Sequence, residues 1–340
     1  MARVAINGLG RIGRAAFKII NENNDLNLVA VNDLVPTDNL VYLLKHDTVY
    51  GRYEKEILHT DDSLIINGKT IKVLNEKNPE MLPWKELEVD IVFECTGLFT
   101  KKEDMEKHVK AGAKHVILSA ASKSEDVATV VYGVNQPENE ENLEFISCAS
   151  CTTNCVTPVV EILGRRIGIK KAIMTTVHAY TASQAIVDKP NKNFRRGRAA
   201  AANFVPTTTG AAKATTKALP QYKNKFDGIA IRGPVPVGSI SDIVFITDRK
   251  TSVEEINKIF KEEAETDRYK GIVSASDEEI VSSDIIKDSH ASIVDLTMTH
   301  VVDGDMVKIM SWYDNEWGYT NQLVRVGVRM AKLIEHHATV

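Results

Sequence analysis

Along the first 150 residues, short unbroken apolar runs alternate with stretches in which apolar side chains recur at helical spacing. Val4 to Ile6 is a β-branched run, and Ala15, Ala16, Phe17 and Ile20 then follow on one helical stripe. "LNLVAV" (26–31) is a second run, closed by Asn32 and Asp33. "VDIVFECTG", around Ile91 to Gly97, reads as a buried strand running into a glycine turn. "KKEDMEKHVKAGA" is an amphipathic helix with Met105, Val109 and Ala113 on one face. "HVILSA" (115–120), "TVVYGV" near Val131 and "EFISCA" near Ile146 are three further strands. Continuous apolar strands separated by short helices predict an α/β fold. Its parallel sheet is doubly wound, with a ligand crevice at the strands' carboxyl ends. After Cys151 the strands "AIMTTVHAY", "GIAIRGPVP", "SISDIVFITDR", "SIVDLTMTHVV" and "MVKIMSWYD" alternate more strongly. That pattern predicts a second, α+β region with a largely antiparallel sheet.

The turn after the first strand adds chemistry. Gly8, Gly10 and Gly13 stand in G-x-G-x-x-G spacing between strand and helix, and Asp33 follows 20 residues after Gly13. This is the full context of a Rossmann-type dinucleotide fingerprint. Gly8 permits the tight turn, Gly10 lets a pyrophosphate approach the backbone, and Gly13 lets helix and sheet pack closely. Free amides at the helix N-terminus face the phosphates. Asp33 is placed to accept from the adenosine ribose hydroxyls and to repel a 2'-phosphate. The alternative is a glycine turn without a ligand.

Composition narrows the classes. The chain has 340 residues, 43% hydrophobic and 26% charged, with a net charge of -4, the balance of an ordinary globular protein of two domains. Nothing in that charge points to nucleic acid or an anionic membrane as the main partner. No apolar run is long enough to span a bilayer. "MARVAINGLG" has no apolar signal region, so the expectation is a cytoplasmic protein with reduced thiols.

The thiols are concentrated in "FISCASCTTNCVTP", which holds Cys148, Cys151 and Cys155, while Cys95 lies far upstream. A zinc site lacks a fourth ligand with the usual spacing, and a disulfide conflicts with the compartment, so no metal is expected. Val156, Val159, Val160 and Leu163 predict a helix opening at Cys151, with Pro158 early in it. A thiol at a helix N-terminus has its thiolate favoured by the dipole. Cys155 and Cys148 read as small buried hydrophobes, and Cys95, at a strand position, is given no function. His178 ends an apolar strand before a polar turn, which makes it the candidate base, with a structural histidine as the alternative.

"NGLGRIGR", "ASCTTNC", "HAYT", "PTTTGAAKA" and "SWYDNEWGY" together resemble the phosphorylating glyceraldehyde-3-phosphate dehydrogenases, from Ala2 to about Lys332 and in family order. The resemblance implies Cys151 as nucleophile and His178 as base. It implies oxidation of glyceraldehyde 3-phosphate by NAD through a thiohemiacetal and a thioester, with inorganic phosphate as the final acceptor. Thr181 and Arg232 match positions that hold the substrate's phosphate. Ser150, Thr152, Arg196, Thr209 and Gly210 match the attacking-phosphate site. Gly8, Gly10, Arg11, Ile12, Gly13, Asp33, Lys77, Ser119 and Asn315 match the cofactor positions, Asn315 holding the nicotinamide carboxamide. The final helix packs back on the cofactor domain in relatives, so the expected division is 1–150 with 317–340 for NAD binding, and 151–316 for catalysis. The basic loop "DKPNKNFRRGRAAAANF" borders a neighbouring subunit's cofactor pocket in the family, which implies a homotetramer.

Some positions depart from the family pattern. "RGPVPVGSISD" replaces the more usual "RVPTPNVSVVD" after Arg232, and Lys77 stands where many relatives have arginine. Lys189 precedes Pro190 where NAD-specific relatives commonly have leucine, so NADP is kept as a second acceptor behind NAD. An erythrose-4-phosphate dehydrogenase, which resolves the thioester with water, is the alternative activity. A catalytically idle binding module is disfavoured by the charge balance and the intact Cys151–His178 pair.

Overall fold

The computed structural model describes residues 1–23, 25–137 and 140–339. The chain divides into two compact units. One comprises Met1–Val130, Gln136–Ala149 and the segment from Leu323, and the other Val131–Asn135 with Ser150–Gln322.

The first unit is built on a nine-stranded sheet. Its order is Ala128–Thr129, Phe145–Ser147, His115–Leu118, Ile91–Glu94, Ala2–Asn7, Leu26–Asn32, Lys69–Leu74, Ser63–Ile66 and Ile57–His59. Neighbours are parallel as far as Lys69–Leu74, and the last two pairings are antiparallel. The chain winds outward from Ala2–Asn7 to one side and then returns to the other. The carboxyl ends of Ala2–Asn7 and Ile91–Glu94 therefore flank the switch point where such sheets bind ligands.

Two features of this sheet differ from the pattern reading. The antiparallel extension was readable only from its turn: Asn67 and Gly68 both take positive φ (50° and 75°), the conformation of a two-residue hairpin. The expected strand near Val131 is a turn instead. Val131 bridges to Asn135, Gly133 takes φ of 80°, and the strand proper is only Ala128–Thr129.

The second unit carries a seven-stranded sheet in the order Val205–Thr208, Phe226–Gly233, Ile169–Ala179, Ser239–Thr247, Met306–Tyr313, Ser292–Val302, Val273–Ser276. Its pairings are antiparallel except Ile169–Ala179 with Phe226–Gly233 and Val273–Ser276 with Ser292–Val302. Along Ile169–Ala179, Met174, Thr176 and His178 turn inward while Ile173 and Val177 are exposed, the alternation of a sheet with one buried face. Val156, Val159, Val160 and Leu163 of the helix Cys151–Arg166 share one apolar core with Met174, Ile243, Phe245, Val307 and Ile309.

Pro158 lies in the interior of that helix rather than in its first turn. It forgoes a donor to the carbonyl of Asn154, a defect of about 3 kcal/mol in an isolated helix. Burial of every residue from Thr152 to Val160 offsets it, and the helix continues to Arg166.

Close packing in the glycine turn gives a direct test. A Cβ on Gly13 would lie 1.9 Å from the carbonyl oxygen of Gly8, which is backbone and cannot swing aside. Gly13→Ala is expected to cost about 3 kcal/mol, read as a lower midpoint in thermal or urea unfolding. An unchanged midpoint would mean that helix and turn do not meet there.

Candidate active site

The second unit brings Cys151 and His178 together. Ala149 takes φ of 55°, turning the chain out of the strand Phe145–Ser147, and Ser150 then caps the helix by accepting from the Thr153 amide at 3.2 Å. Cys151 is thereby the first residue of the helix. Its Sγ lies 3.3 Å from Nε2 of His178, which comes from the inward face of Ile169–Ala179.

Nδ1 of His178 has two competing neighbours. It lies 2.7 Å from the carbonyl of Ala179 and 2.8 Å from Nη1 of Arg232, which also donates to that carbonyl at 3.0 Å. A guanidinium only donates, so a contact with Arg232 requires an unprotonated Nδ1 and puts the ring proton on Nε2. With Nδ1–H donating to Ala179 instead, Nε2 is free to accept the thiol proton. Which partner Nδ1 holds decides whether the imidazole can act as a base toward Cys151.

The electrostatics correct one expectation. The Cys151 thiol is pushed up by burial, against the lowering influence of Arg232 and of the amide and hydroxyl of Thr152. The helix N-terminus favours the thiolate as expected but does not prevail over desolvation in the substrate-free site. Burial and then the Arg232 charge hold His178 well below the usual imidazole range. Burial also pushes the thiols of Cys95 and Cys155 up to about 12, and that of Cys148 higher still, which disfavours their thiolates. All four cysteines are free.

Arg232 lies half-buried against His178. Its Nε is buried with no hydrogen-bond partner, an unmet donor in a protein interior. Its charge also feels that of Arg196, whose Nε donates to Thr207 at 3.0 Å and whose Nη2 donates to the Thr208 carbonyl at 3.2 Å. Thr209 caps the amide of Ala211 at 3.2 Å, and Gly210 is the N-cap residue of the helix Ala211–Ala218 with open space beside it. Thr181 bonds Ser183 at 2.9 Å, and its amide donates to Oε1 of Gln184 at 3.2 Å.

A family model described as "Glyceraldehyde 3-phosphate dehydrogenase, C-terminal domain" matches residues 150–315, and one described as "Glyceraldehyde 3-phosphate dehydrogenase, NAD binding domain" matches residues 2–102. The glyceraldehyde-3-phosphate dehydrogenase of Streptomyces coelicolor is 52% identical over 328 residues, covering 96% of this chain and 97% of that one. That of Thermotoga maritima is 50% identical over 326 residues (95% and 97%), and glyceraldehyde-3-phosphate dehydrogenase 2 of Bacillus subtilis 44% over 339 residues (99% of each). The chain belongs to the glyceraldehyde-3-phosphate dehydrogenase family. It is an oxidoreductase with NAD as cofactor.

For a dehydrogenase of this family, the first unit offers a fitting cofactor site. Gly10 caps the helix Arg11–Glu22 and has no neighbour where a Cβ would stand, leaving the backbone approachable. Asp33 accepts from the amides of Leu9 (2.7 Å) and Val35 (3.1 Å), which fixes its carboxylate. Arg11 is held by Asp47 at 2.5 Å, Ile12 is half-buried, and Ser119 donates its amide to the Glu94 carbonyl at 3.0 Å. Lys77 is exposed. In the second unit, Asn315 is buried with Oδ1 taking Gly238 N–H (3.1 Å) and the Ser239 hydroxyl (2.9 Å), which aims its Nδ2 donor the other way. The departure at Gly238 has a physical reason: φ is 94°, and a Cβ would lie 2.4 Å from the Ser282 carbonyl. Among the described residues no helix is long and apolar enough to cross a membrane.

Tyr313 went unrecognised in the sequence. Its hydroxyl bridges Thr152 and Thr176, each at 2.8 Å, and its ring stands edge-on to His178 at 5.8 Å. Its place two residues before Asn315 in "SWYDNEWGY" was the available signal.

Arg232 lowers Cys151 and His178 alike, so its removal has a defined sign. Arg232→Leu is expected to move the pH midpoint of Cys151 alkylation by iodoacetamide upward by about one unit, the size of one nearby charge lost. An unchanged profile would show that the guanidinium is not coupled to the thiol.

Proposed function

We propose that the chain oxidises D-glyceraldehyde 3-phosphate to 1,3-bisphosphoglycerate with NAD and inorganic phosphate. The observation that carries the reading is the buried, unpartnered Nε of Arg232 beside the 3.3 Å Cys151–His178 pair: an anion-seeking group adjoining a thiol and its base. When the substrate's phosphate engages Arg232, Nη1 leaves Nδ1 of His178, and the ring proton moves by solvent exchange from Nε2 to Nδ1, where it bonds the Ala179 carbonyl. Nε2 then accepts the Cys151 proton, the thiolate adds to the aldehyde carbon, and Nε2–H returns the proton to the carbonyl oxygen to give a thiohemiacetal. Substrate binding itself thus frees the base.

The bound nicotinamide supplies the acceptor for the hydride. His178 takes the hydroxyl proton as the carbonyl re-forms, leaving a thioester on Cys151. A phosphate oxygen then attacks the thioester carbon, the C–S bond breaks, and the acyl phosphate departs as the thiolate returns. Arg196, Thr209 and the open amide end at Gly210, with Ser150 and Thr152, supply the donor types that bind the attacking phosphate, while Thr181 assists Arg232. Asp33, fixed by two amides, favours NAD over NADP, with Lys189 as the opposing charge. Reduction of NAD by purified protein with glyceraldehyde 3-phosphate, with and without phosphate, tests this directly. Strict phosphate dependence is expected, with activity lost in Cys151→Ser and kcat lowered about 10²–10⁴-fold in His178→Asn. Phosphate-independent turnover, or turnover only with erythrose 4-phosphate, would replace this activity with the hydrolytic alternative.

A homotetramer is supported by apolar side chains left on the open face of the second unit's sheet, Ile173, Val177 and Ile229, and by Ile186, Val187 and Phe194 in the loops beside it, from 39% to 88% exposed. Sedimentation equilibrium is expected to give four times the chain mass, and Phe194→Asp together with Ile186→Asp to lower it. A monomer in the unmodified protein would remove the assembly from the proposal.

A further inference from the structure

Glu94, at the end of the strand Ile91–Glu94, is fully buried and meets no lysine or arginine among the described ion pairs. Four donors surround it. Oε2 accepts from Nδ2 of Asn7 at 2.6 Å and faces Nε2 of His108 at 3.1 Å, while Oε1 accepts from the amide of Thr96 at 2.8 Å and from the Thr96 hydroxyl. The indole N–H of Trp84 donates to Nδ1 of His108 at 3.0 Å. An indole only donates, so His108 carries its proton on Nε2 and turns it toward the carboxylate. The carboxylate is thus held by oriented donors instead of by a counter-charge.

The donors lead to the cofactor site. Asn7 immediately precedes the glycine turn, and Thr96 abuts it, since a Cβ on Gly8 would lie 2.8 Å from the Thr96 amide. The chain continues through Oδ1 of Asn7, which accepts from Asn32 at 2.7 Å, while Oδ1 of Asn32 accepts from the Glu76 amide at 2.9 Å and its Nδ2 also donates to the Glu76 carbonyl at 2.9 Å. Asn32 precedes Asp33, and Glu76 precedes Lys77. One donor-to-acceptor chain therefore runs from Glu76, next to Lys77, through Asn32, next to Asp33, and Asn7, next to the glycine turn, to Glu94.

We infer that Glu94 is a positioning residue for dinucleotide binding: acting through Asn7, Asn32 and Thr96, it fixes the relative placement of the glycine turn, Asp33 and the Lys77 loop before NAD arrives. The inference rests on the reading of the first unit as the NAD site. Its test is calorimetric titration of the full-length protein with NAD, alongside thermal unfolding. Glu94→Gln keeps the shape but turns one acceptor into a donor facing other donors. It is expected to weaken NAD binding about tenfold or more, the loss of one charge-assisted hydrogen bond. Asn32→Ala is expected to do the same, and the double variant to be little worse than either, because both cut one chain. Thr96→Val removes a single donor and keeps the shape; it is expected to cost about threefold and reads the clamp even where Glu94→Gln fails to fold. A merely structural role would lower the unfolding midpoint while leaving affinity at 25 °C untouched, and that result, or fully additive losses, would overturn the inference. Unmodified protein that failed to bind NAD would overturn the cofactor reading instead.

Discussion

The active chemistry depends on one packing constraint: a helix laid on one face of a sheet whose side chains alternate. Residues 169–179 send Met174, Thr176 and His178 to the same side, and the helix that begins at Cys151 covers that side with Val156, Val159 and Val160. The contacts that bury the apolar residues set sulfur and imidazole 3.3 Å apart. A register slip of one residue would send His178 to the open face and turn Ile173 and Val177 inward in its place. The hydrophobic core therefore supplies the precision of the site.

Burial has a second consequence. It raises the thiol and lowers the imidazole, which disfavours the charged pair, and it leaves Arg232 as the principal nearby charge acting on both. Tyr313 ties Thr152 to Thr176 and gives both buried hydroxyls a partner, Thr176 also donating to the Ile240 carbonyl. The substrate-free site is in this sense held in reserve, with a cation whose Nε lacks a partner and a histidine whose Nδ1 is contested.

The first unit solves a comparable problem with amides and hydroxyls. A carboxylate inside a sheet is tolerated only when its lone pairs are filled, and Glu94 has them filled by residues that also shape the glycine turn. His108, which looks like an ordinary member of an amphipathic helix, is fully buried because Trp84 and Glu94 take both of its ring nitrogens.

Period and spacing determined much of this protein on their own. The parallel strands around Ile6, Val31, Phe93 and Ile117, the helix opening at Cys151, and the glycine fingerprint with Asp33 are local patterns, and local sterics and amide geometry suffice to express them. Sequence likewise marked Cys151 and His178, because a helix N-terminus and a strand end are positions along the chain. What only the tertiary structure decided is what depends on neighbours distant in sequence. The pull of burial against the helix terminus on the Cys151 thiol, the contest between Arg232 and Ala179 for His178, the Tyr313 bridge and the Glu94 clamp all join residues dozens of positions apart or more. Desolvation and hydrogen-bond partnership are properties of a folded interior, and no window of sequence contains them.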